Sequence, residues 1–367
     1  EIKSGRKISG TIEISGSKNA TLPILASTIL TNKKIEITNV PLVRDIETMV
    51  NLLSTMGSTI ILNKKAKKIE IFNKKPLKTF ASYHLLKTMR AGVLVLGPLL
   101  AKYRVAKTSF PGGCNVGLRP IDLHLDALKK MGTSIKIKDG YILASAKKGL
   151  KGCFIKFPKI SVGATENILI ASCLAKGKTK LRNCASEPEI QDLVNFLKKL
   201  GCKINWVGKR SIDVIGTEEL KSTTHRVIFD RIEAGTYIIA AALTNGRLKI
   251  TNINPNIFLE KELEIRKINN LPPFERFVSI ILSGKNEKKL EKEAYKLRDH
   301  LEKYLNARIL GPVSAPIYKI KKNFRYRLLI RSKKNVQIQK DLSLSLKNFK
   351  FSSGIKLTVD VDPISFN

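Results

Sequence analysis

The chain has 367 residues, 43% of them apolar, and a formal charge of +37 from 67 Lys and Arg set against 30 Asp and Glu. That length predicts two or three compact units, each able to bury a core. No apolar run reaches the ~18 residues that span a bilayer and no secretory leader is recognisable, so a cytoplasmic protein with no membrane partner is expected. Five cysteines without a CxxC pair argue against a disulfide framework and against a zinc site.

The lysine excess is spread along the chain, in doublets such as Lys64-Lys65, Lys129-Lys130 and Lys198-Lys199. Solvated helix faces and turns explain such spacing better than a nucleic-acid tract does, and a substrate carrying several negative charges would be drawn to the same surface.

In chain order, GSKNA at residues 16–20 opens an apolar run over 21–30. DIETMVNLLSTMG at 45–57 is the first of three related segments, followed by PIDLHLDALKKMG at 120–132 and EIQDLVNFLKKLG at 189–201. Aligned on the last glycine, they place apolar residues at Val50, Leu53 and Met56, at Leu125, Leu128 and Met131, and at Val194, Leu197 and Leu200. Steps of three make one helical face, the glycine supplies a left-handed C-cap, and the alternating runs at 58–62, 134–137 and 203–206 predict strands. Gly57, Gly132 and Gly201 lie 75 and 69 residues apart, the size of one βαβαββ unit occurring three times. KTMRAG at 87–92 and SVGATEN at 161–167 open further apolar runs, 93–100 and 168–175, as 16–20 does. Each is predicted to be a helix N-terminus, where free amide donors and the helix dipole favour anions; three converging ends can hold phosphates and a carboxylate.

The stretch PGGCNVGLRPIDLH at 111–124 sets Cys114 between flexible glycines, with Arg119 five residues on. Glycines there let a substrate approach closely, and a nearby guanidinium favours thiolate and anchors phosphate or carboxylate. A lone cysteine is usually an inert small hydrophobe; Gly112, Gly113, Gly117, Arg119 and Asp122 tip this one toward chemistry. The other four cysteines read as core or surface residues. His84, His124, His225 and His300 have no metal-ligand spacing, and His124 reads as a packing or capping residue.

Beyond about residue 256 the texture changes. A charged helix at 258–270 is stopped by LPPF and followed by a strand at 277–283. A helix at 287–305 then carries an apolar stripe at Leu290, Ala294, Leu297, Leu301 and Leu305. Strands at 308–313 and 324–331, a helix at 336–346 and a strand at 355–361 complete a βαββαβ order, the ferredoxin-like arrangement.

The motifs GSKNATLPIL at 16, KTMRAG at 87, PGGCNVGLRPIDLHL at 111, FPKISVGATEN at 157, EPEIQDLVNFLKKLG at 187 and HRVIFDRIEAGTYIIAAA at 225 resemble the UDP-N-acetylglucosamine enolpyruvyl transferases, in order, as far as about residue 255. The resemblance implies an inside-out α/β barrel of repeated βαβαββ units. Residues 16–229 would form a complete lobe of three repeats, and 1–15 with 230–257 would be the remnant of a truncated second lobe. It implies transfer of enolpyruvyl from phosphoenolpyruvate to the 3'-hydroxyl of UDP-N-acetylglucosamine, a step of peptidoglycan precursor synthesis and hence of cell-wall growth and division, with neither cofactor nor metal. By the same resemblance Cys114 is the general acid, and Lys18, Asn19, Arg90 and Arg119 meet phosphoenolpyruvate. Asn19, Arg90, Arg119, Pro120, Ile121, Asp122, Leu123, Lys159, Ile160, Ser161 and Val162 meet the nucleotide sugar. The acidic residue that takes the sugar hydroxyl proton, and further arginines, would follow residue 255 in that family and are absent. The apolar face at 237–243 is therefore expected to lack partners.

The tail, with LEKELEIRKINNLPPFERF at 259, LGPVSAPIYKIKKNFRYRLLIRS at 310 and GIKLTVDVDPISF at 354, resembles the C-terminal domain of the primosomal replication-restart helicase. It would make 258–367 a βαββαβ domain. No GxxxxGK[ST] loop, helicase acidic motif or cysteine cluster accompanies it. The resemblance implies contact with DNA or replication proteins, to which Arg325, Arg327, Arg331, Tyr318 and Tyr326 could contribute phosphate contacts and stacking; an ordinary solvated sheet face fits the same pattern. The alternative to the transferase is thus a catalytically inactive fusion whose basic C-terminal domain binds DNA or replication proteins.

Overall fold

Two helices buried on every side stand at the middle of the first half of the chain, and their sequences explain why: neither carries a polar stripe. The computed structural model describes residues 7–86, 89–109, 121–244, 246–272, 274–320, 322–333 and 336–361. It divides into two units, 1–254 and 255–367.

In the first unit, β1 (Ser9–Glu13) leads to α1 (Lys18–Ser27), β2 (Ile35–Thr38), α2 (Arg44–Met56), β3 (Thr59–Asn63) and β4 (Lys68–Phe72). Next come β5 (Phe80–Ala81), α3 (Tyr83–Leu86), a 3-10 turn (Arg90–Val95), α4 (Leu96–Tyr103), β6 (Val105–Ser109), α5 (Asp122–Lys130), β7 (Ser134–Lys138) and β8 (Tyr141–Ser145). A third set follows with β9 (Phe154–Lys156), α6 (Val162–Ser172), β10 (Lys178–Arg182), α7 (Pro188–Lys199), β11 (Lys203–Gly208) and β12 (Ser211–Ile215). The unit ends with β13 (Thr223–Arg226), α8 (Arg231–Leu243) and β14 (Arg247–Thr251).

The predicted threefold repeat is there as three four-stranded sheets, ordered β13-β2-β4-β3, β5-β6-β8-β7 and β9-β10-β12-β11. In each, the first two strands are parallel and the remaining pairings antiparallel. The helices are inside. Residues 20–27 of α1 and 164–172 of α6 are all buried, as are Leu96, Leu99 and Leu100 of α4, in one continuous apolar core. Each fully buried Leu or Ile contributes ~1.5–3 kcal/mol. The outer helices α2, α5 and α7 bury one face only, and Gly57, Gly132 and Gly201 follow them at φ 113°, 94° and 102°, the left-handed conformation their spacing predicts.

Two features differ from the sequence reading. The first strand of the first repeat is supplied by β13, whose His225 is held by Asp192 of α7 at 3.0 Å while Asp192 also accepts the Ile228 N–H at 3.2 Å. The run at 93–100 is split. Pro98 lacks an N–H, which costs nothing in a first helical turn; the α-helix starts at Leu96, and the residues before it form the 3-10 turn.

β1 and β14 form a separate two-stranded parallel sheet, with α8 preceding β14. This is the first half of a fourth βαβαββ pattern, and among the described residues β14 has no antiparallel neighbour. The expected apolar patch follows on α8: Ile232, Ile238 and Ile239 are 53%, 40% and 59% exposed. Ile232→Asp and Ile239→Asp are therefore expected to change the unfolding free energy by less than ~0.5 kcal/mol in a denaturant titration, unlike isoleucines of the core.

The second unit comprises α9 (Pro255–Ile268), β15 (Glu275–Gly284), α10 (Glu287–Tyr304), β16 (Arg308–Ile320), β17 (Asn323–Lys333), α11 (Ile338–Lys347) and β18 (Ile355–Val361). Its sheet runs β16-β17-β15-β18, wholly antiparallel, which is the ferredoxin-like order the βαββαβ pattern predicts. The α10 stripe of Leu290, Ala294, Leu297 and Leu301 packs on Val278, Ile280, Leu328 and Ile330 in its own core. β16 runs on past the predicted 313 to Ile320, because Pro316 falls at a register shift between Ser314 and Lys319, where no ladder donor is required.

Candidate active site at the helix N-termini

α1 begins at Ser17, whose Oγ accepts from the Ala20 N–H at 3.3 Å while its own N–H donates to Ile228 O at 2.8 Å. Gly16 is required there: a Cβ would lie 1.7 Å from Asn39 O. Lys18 sits in the first turn and pairs with Asp45, in the first turn of α2, at 2.8 Å; Asn19 is exposed. Both partners of that pair are partly exposed, so opening it costs ~1 kcal/mol or less.

The N-terminus of α6 is built in the same way. Ser161 Oγ accepts from the Ala164 N–H at 3.3 Å, and Ser161 O accepts from the Thr165 N–H and hydroxyl at 3.0 and 2.7 Å. Buried Phe157 anchors the approach, with its N–H on Arg182 O at 3.1 Å and its carbonyl accepting from Asn183 Nδ2 at 2.8 Å. Lys159, Ile160 and Val162 are thereby left exposed at the mouth of the helix.

Ile121 caps α5, its carbonyl accepting from the N–H groups of His124 and Leu125 at 2.9 and 3.2 Å. Asp122 is exposed in the first turn and Leu123 half-buried. The next residue, His124, turns inward onto α6: a Cβ on Gly163 would lie 3.3 Å from its Cε1. The first turns of α5 and α6 therefore meet through His124 and Gly163. Among the described residues no hydrogen bond or ion pair joins Lys18 or Asn19 to that pair of helix ends. Cys114, Arg119 and Pro120 lie outside the described residues, as does the side chain of Arg90, whose backbone opens the 3-10 turn.

Behind these ends lie charged groups that periodicity did not single out. Glu166, buried in α6 next to Asn167, has its carboxyl pushed up to about 8 by burial, with Glu189 and Glu187 adding repulsion. Glu189 is clasped by Arg231, at the start of α8, at 2.9 Å. Glu233 accepts from the Ser15 N–H at 3.0 Å and also meets the Ser15 hydroxyl. Burial pushes the His124 imidazole down to about 4. The same cause makes three of the other thiols less reactive: burial raises Cys153 and Cys173 and takes Cys184 up to about 12. Among the described residues, no group of three or more His, Cys, Asp or Glu side chains is placed to hold a metal ion, and no helix is long and apolar enough to cross a membrane.

The family model described as EPSP synthase (3-phosphoshikimate 1-carboxyvinyltransferase) matches residues 2–270. The chain belongs to the EPSP synthase family. Within it, this family member is 60% identical over 267 residues to the UDP-N-acetylglucosamine 1-carboxyvinyltransferase of Pelagibacter ubique, covering 73% of the chain and 63% of that relative. It is 46% identical over 254 residues to the enzyme of the same name from Endomicrobium trichonymphae, covering 69% of the chain and 60% of the relative. The chain therefore spans less than two thirds of these relatives. Among solved structures, the enolpyruvyl transferase NikO of Streptomyces tendae superposes with a TM-score of 0.62 at 18% identity, over 89% of this chain and 66% of NikO. EPSP synthase of Acinetobacter baumannii superposes at 0.57 and 15% identity, over 93% of this chain and 70% of that one. These two establish the fold, the inside-out α/β type, here without a closed barrel. Residues 267–364 match the model described as Primosomal protein N C-terminal domain.

In that second unit, Tyr326 is 8% exposed and belongs to the core, so its ring is closed to stacking. The Tyr318 hydroxyl is bonded to Glu287, Arg331 to Glu275 at 3.0 Å, and Arg325 to Ile317 O at 3.1 Å.

Proposed function

We propose that this protein binds UDP-N-acetylglucosamine at the N-termini of α5 and α6, binds phosphoenolpyruvate beside Lys18, Asn19, Arg90 and Arg119, and transfers enolpyruvyl between them. The observation that carries the reading is the 60% identity over 267 residues to an enzyme of that name. The geometry supports it: α1 and α6 each present a serine-capped N-terminus, and amides there favour the diphosphate and the carboxylate. Cys114 supplies the proton to C3 of the enol as the sugar oxygen bonds to C2 and gives its proton to water; loss of phosphate together with a C3 proton, returned to the thiolate, restores the double bond, while the cations stabilise charge developing on phosphate and carboxylate. Residues 16–229 are the lobe that does this, 1–15 and 230–257 the opening part of the second lobe, and 258–367 a joined domain. The setting is peptidoglycan synthesis in the cytoplasm. A second reading, contact of the C-terminal domain with DNA or replication proteins, is favoured by the match at 267–364.

Calorimetric titration with UDP-N-acetylglucosamine is expected to show saturable one-site binding. Phosphate release from phosphoenolpyruvate plus the nucleotide sugar is expected from the wild type and not from Cys114→Ser. Lack of UDP-sugar binding, with salt-sensitive binding to DNA instead, overturns the reading in favour of the second. Binding without release confines the function to that of a nucleotide-sugar-binding lobe.

A further inference from the structure

We propose that Asn167 is a positioning residue: it holds His124 as a neutral imidazole with its proton on Nε2, and so presents a hydrogen-bond donor to the ligand at the N-terminus of α6. The ligand half of this proposal rests on the nucleotide-sugar reading above; the imidazole half does not.

Asn167 is 0% exposed in a helix buried along its length, followed by Ile168, Leu169 and Ile170, and an amide in such a place must find all its partners inside the protein. It finds them on two other elements. Its Oδ1 accepts from the Gly97 N–H of α4 at 2.8 Å. Its Nδ2 donates to Val93 O at 3.1 Å and lies 3.1 Å from Nδ1 of His124. The Gly97 N–H fixes which way round the amide stands, because the opposite orientation would set NH2 against a donor and the amide oxygen against a carbonyl. With NH2 toward His124, Nδ1 must be the acceptor. A neutral ring that accepts at Nδ1 carries its proton on Nε2, and an imidazolium would bring two donors face to face. The low titration of this ring agrees.

Position gives the arrangement its use. His124 follows Leu123 directly, in the first turn of α5, and its Cε1–Nε2 edge lies over Gly163: a Cβ there would stand 3.3 Å from Cε1 and 3.5 Å from Nε2. The absence of a side chain at residue 163 keeps that edge next to the first turn of α6. Among the described residues Nε2 has no hydrogen-bond partner. A neutral donor at this place recognises an oxygen by direction rather than by charge, and it does so without change from pH 6 upward.

The test uses the full chain. Four histidines are few enough for their ring nitrogens to be resolved by long-range proton–nitrogen NMR, with His124→Gln assigning the signal. His124 is expected as the Nε2–H tautomer, untitrated down to about pH 5. Asn167→Asp keeps an acceptor for Gly97 but sets a carboxylate against Nδ1; the ring is expected to move its proton to Nδ1 and to titrate above the ordinary histidine range. UDP-N-acetylglucosamine is then expected to bind about tenfold more weakly and with a pH dependence between 6 and 8 that the wild type lacks. His124→Asn is expected to lose about the same factor, and His124→Gln, whose amide places a donor at the height of Nε2, to recover most of it. An Nδ1–H tautomer or ordinary titration in the wild type overturns the proposal, and so does a tautomer change in Asn167→Asp with unaltered affinity. If Asn167→Asp fails to fold, the two His124 variants decide, equal affinities being the overturning result. A wild type that shows the expected tautomer but binds no UDP-N-acetylglucosamine overturns the substrate reading and the ligand half, and leaves the imidazole assignment standing.

Discussion

Gly97→Ala is expected to destabilise the first unit by about 3–5 kcal/mol, a fall of roughly 10 °C in its melting temperature. A Cβ at this position would lie 2.2 Å from Oδ1 of Asn167, 2.6 Å from its main-chain oxygen and 3.3 Å from the Ala171 Cβ. The obstacles are the backbone of α6 and a side-chain amide fixed by its hydrogen bonds, not a free side-chain tip. Either α4 and α6 separate, opening voids between two of the inner helices, or Asn167 rotates away and leaves the Gly97 N–H, Val93 O and His124 Nδ1 without partners. Gly92→Ala is the comparison. There the nearest atom is Cδ2 of Leu86 at 1.9 Å, the end of a side chain that can turn, so a smaller loss is expected. The chain has one tryptophan, Trp206 on β11, packed against the core of the first unit, and its emission during denaturation reports on that unit. A loss below ~1 kcal/mol for Gly97→Ala would show that the spacing of α4 and α6 is soft, and the contact would then not explain the glycine.

What the sequence revealed, and what it hid, follows from the range over which each interaction acts. The outer helices were legible because a left-handed glycine and a step of three are local signals, as at Leu125, Leu128, Met131 and Gly132. The ferredoxin-like order of the second unit was legible for the same reason, through the stripe from Leu290 to Leu301. β13 was not: its pairing of Thr223 with Ile35 is fixed by closure of the three repeats, which no window of sequence contains. In the candidate site the helix N-termini at 16–20 and 161–167 were legible, since a small or polar start to an apolar run is a local signal. Their internal partners were hidden because they come from other elements. Asp45 takes Lys18, Arg231 takes Glu189, and Asn167 takes His124. One signal was available and unread: Glu166 and Asn167 are adjacent polar residues inside a run otherwise apolar enough to be buried, and a buried polar pair needs partners or a proton.

Glu166→Gln is expected to differ from the wild type by less than ~1 kcal/mol at pH 5 and to become progressively more stable than it as pH rises, the gap levelling off above pH 8 at on the order of 4 kcal/mol. Burial raises the folded carboxyl from 4.5 to about 8, and the nearby Glu189 and Glu187 add to the shift. Since the folded value lies above the unfolded one, the acid's contribution is present in full below 4.5 and is lost as pH rises through 8. Glutamine imitates the protonated form at every pH, so the two proteins part as the wild-type acid begins to prefer the unfolded state. His124 acts in the opposite direction. Its folded value of about 4 lies below the unfolded 6.5, so stability falls as pH drops between them, but both proteins share that loss and it cancels in their difference. Arg231, 2.9 Å from Glu189, can turn to share its charge with a newly ionised neighbour, which narrows that gap. Denaturant titrations followed by Trp206 emission from pH 5 to 9 measure the difference directly. A gap that is flat across that range would mean that Glu166 is ionised throughout, with Arg231 rather than a proton balancing the three carboxylates and the start of α8 held to α7 by that balance.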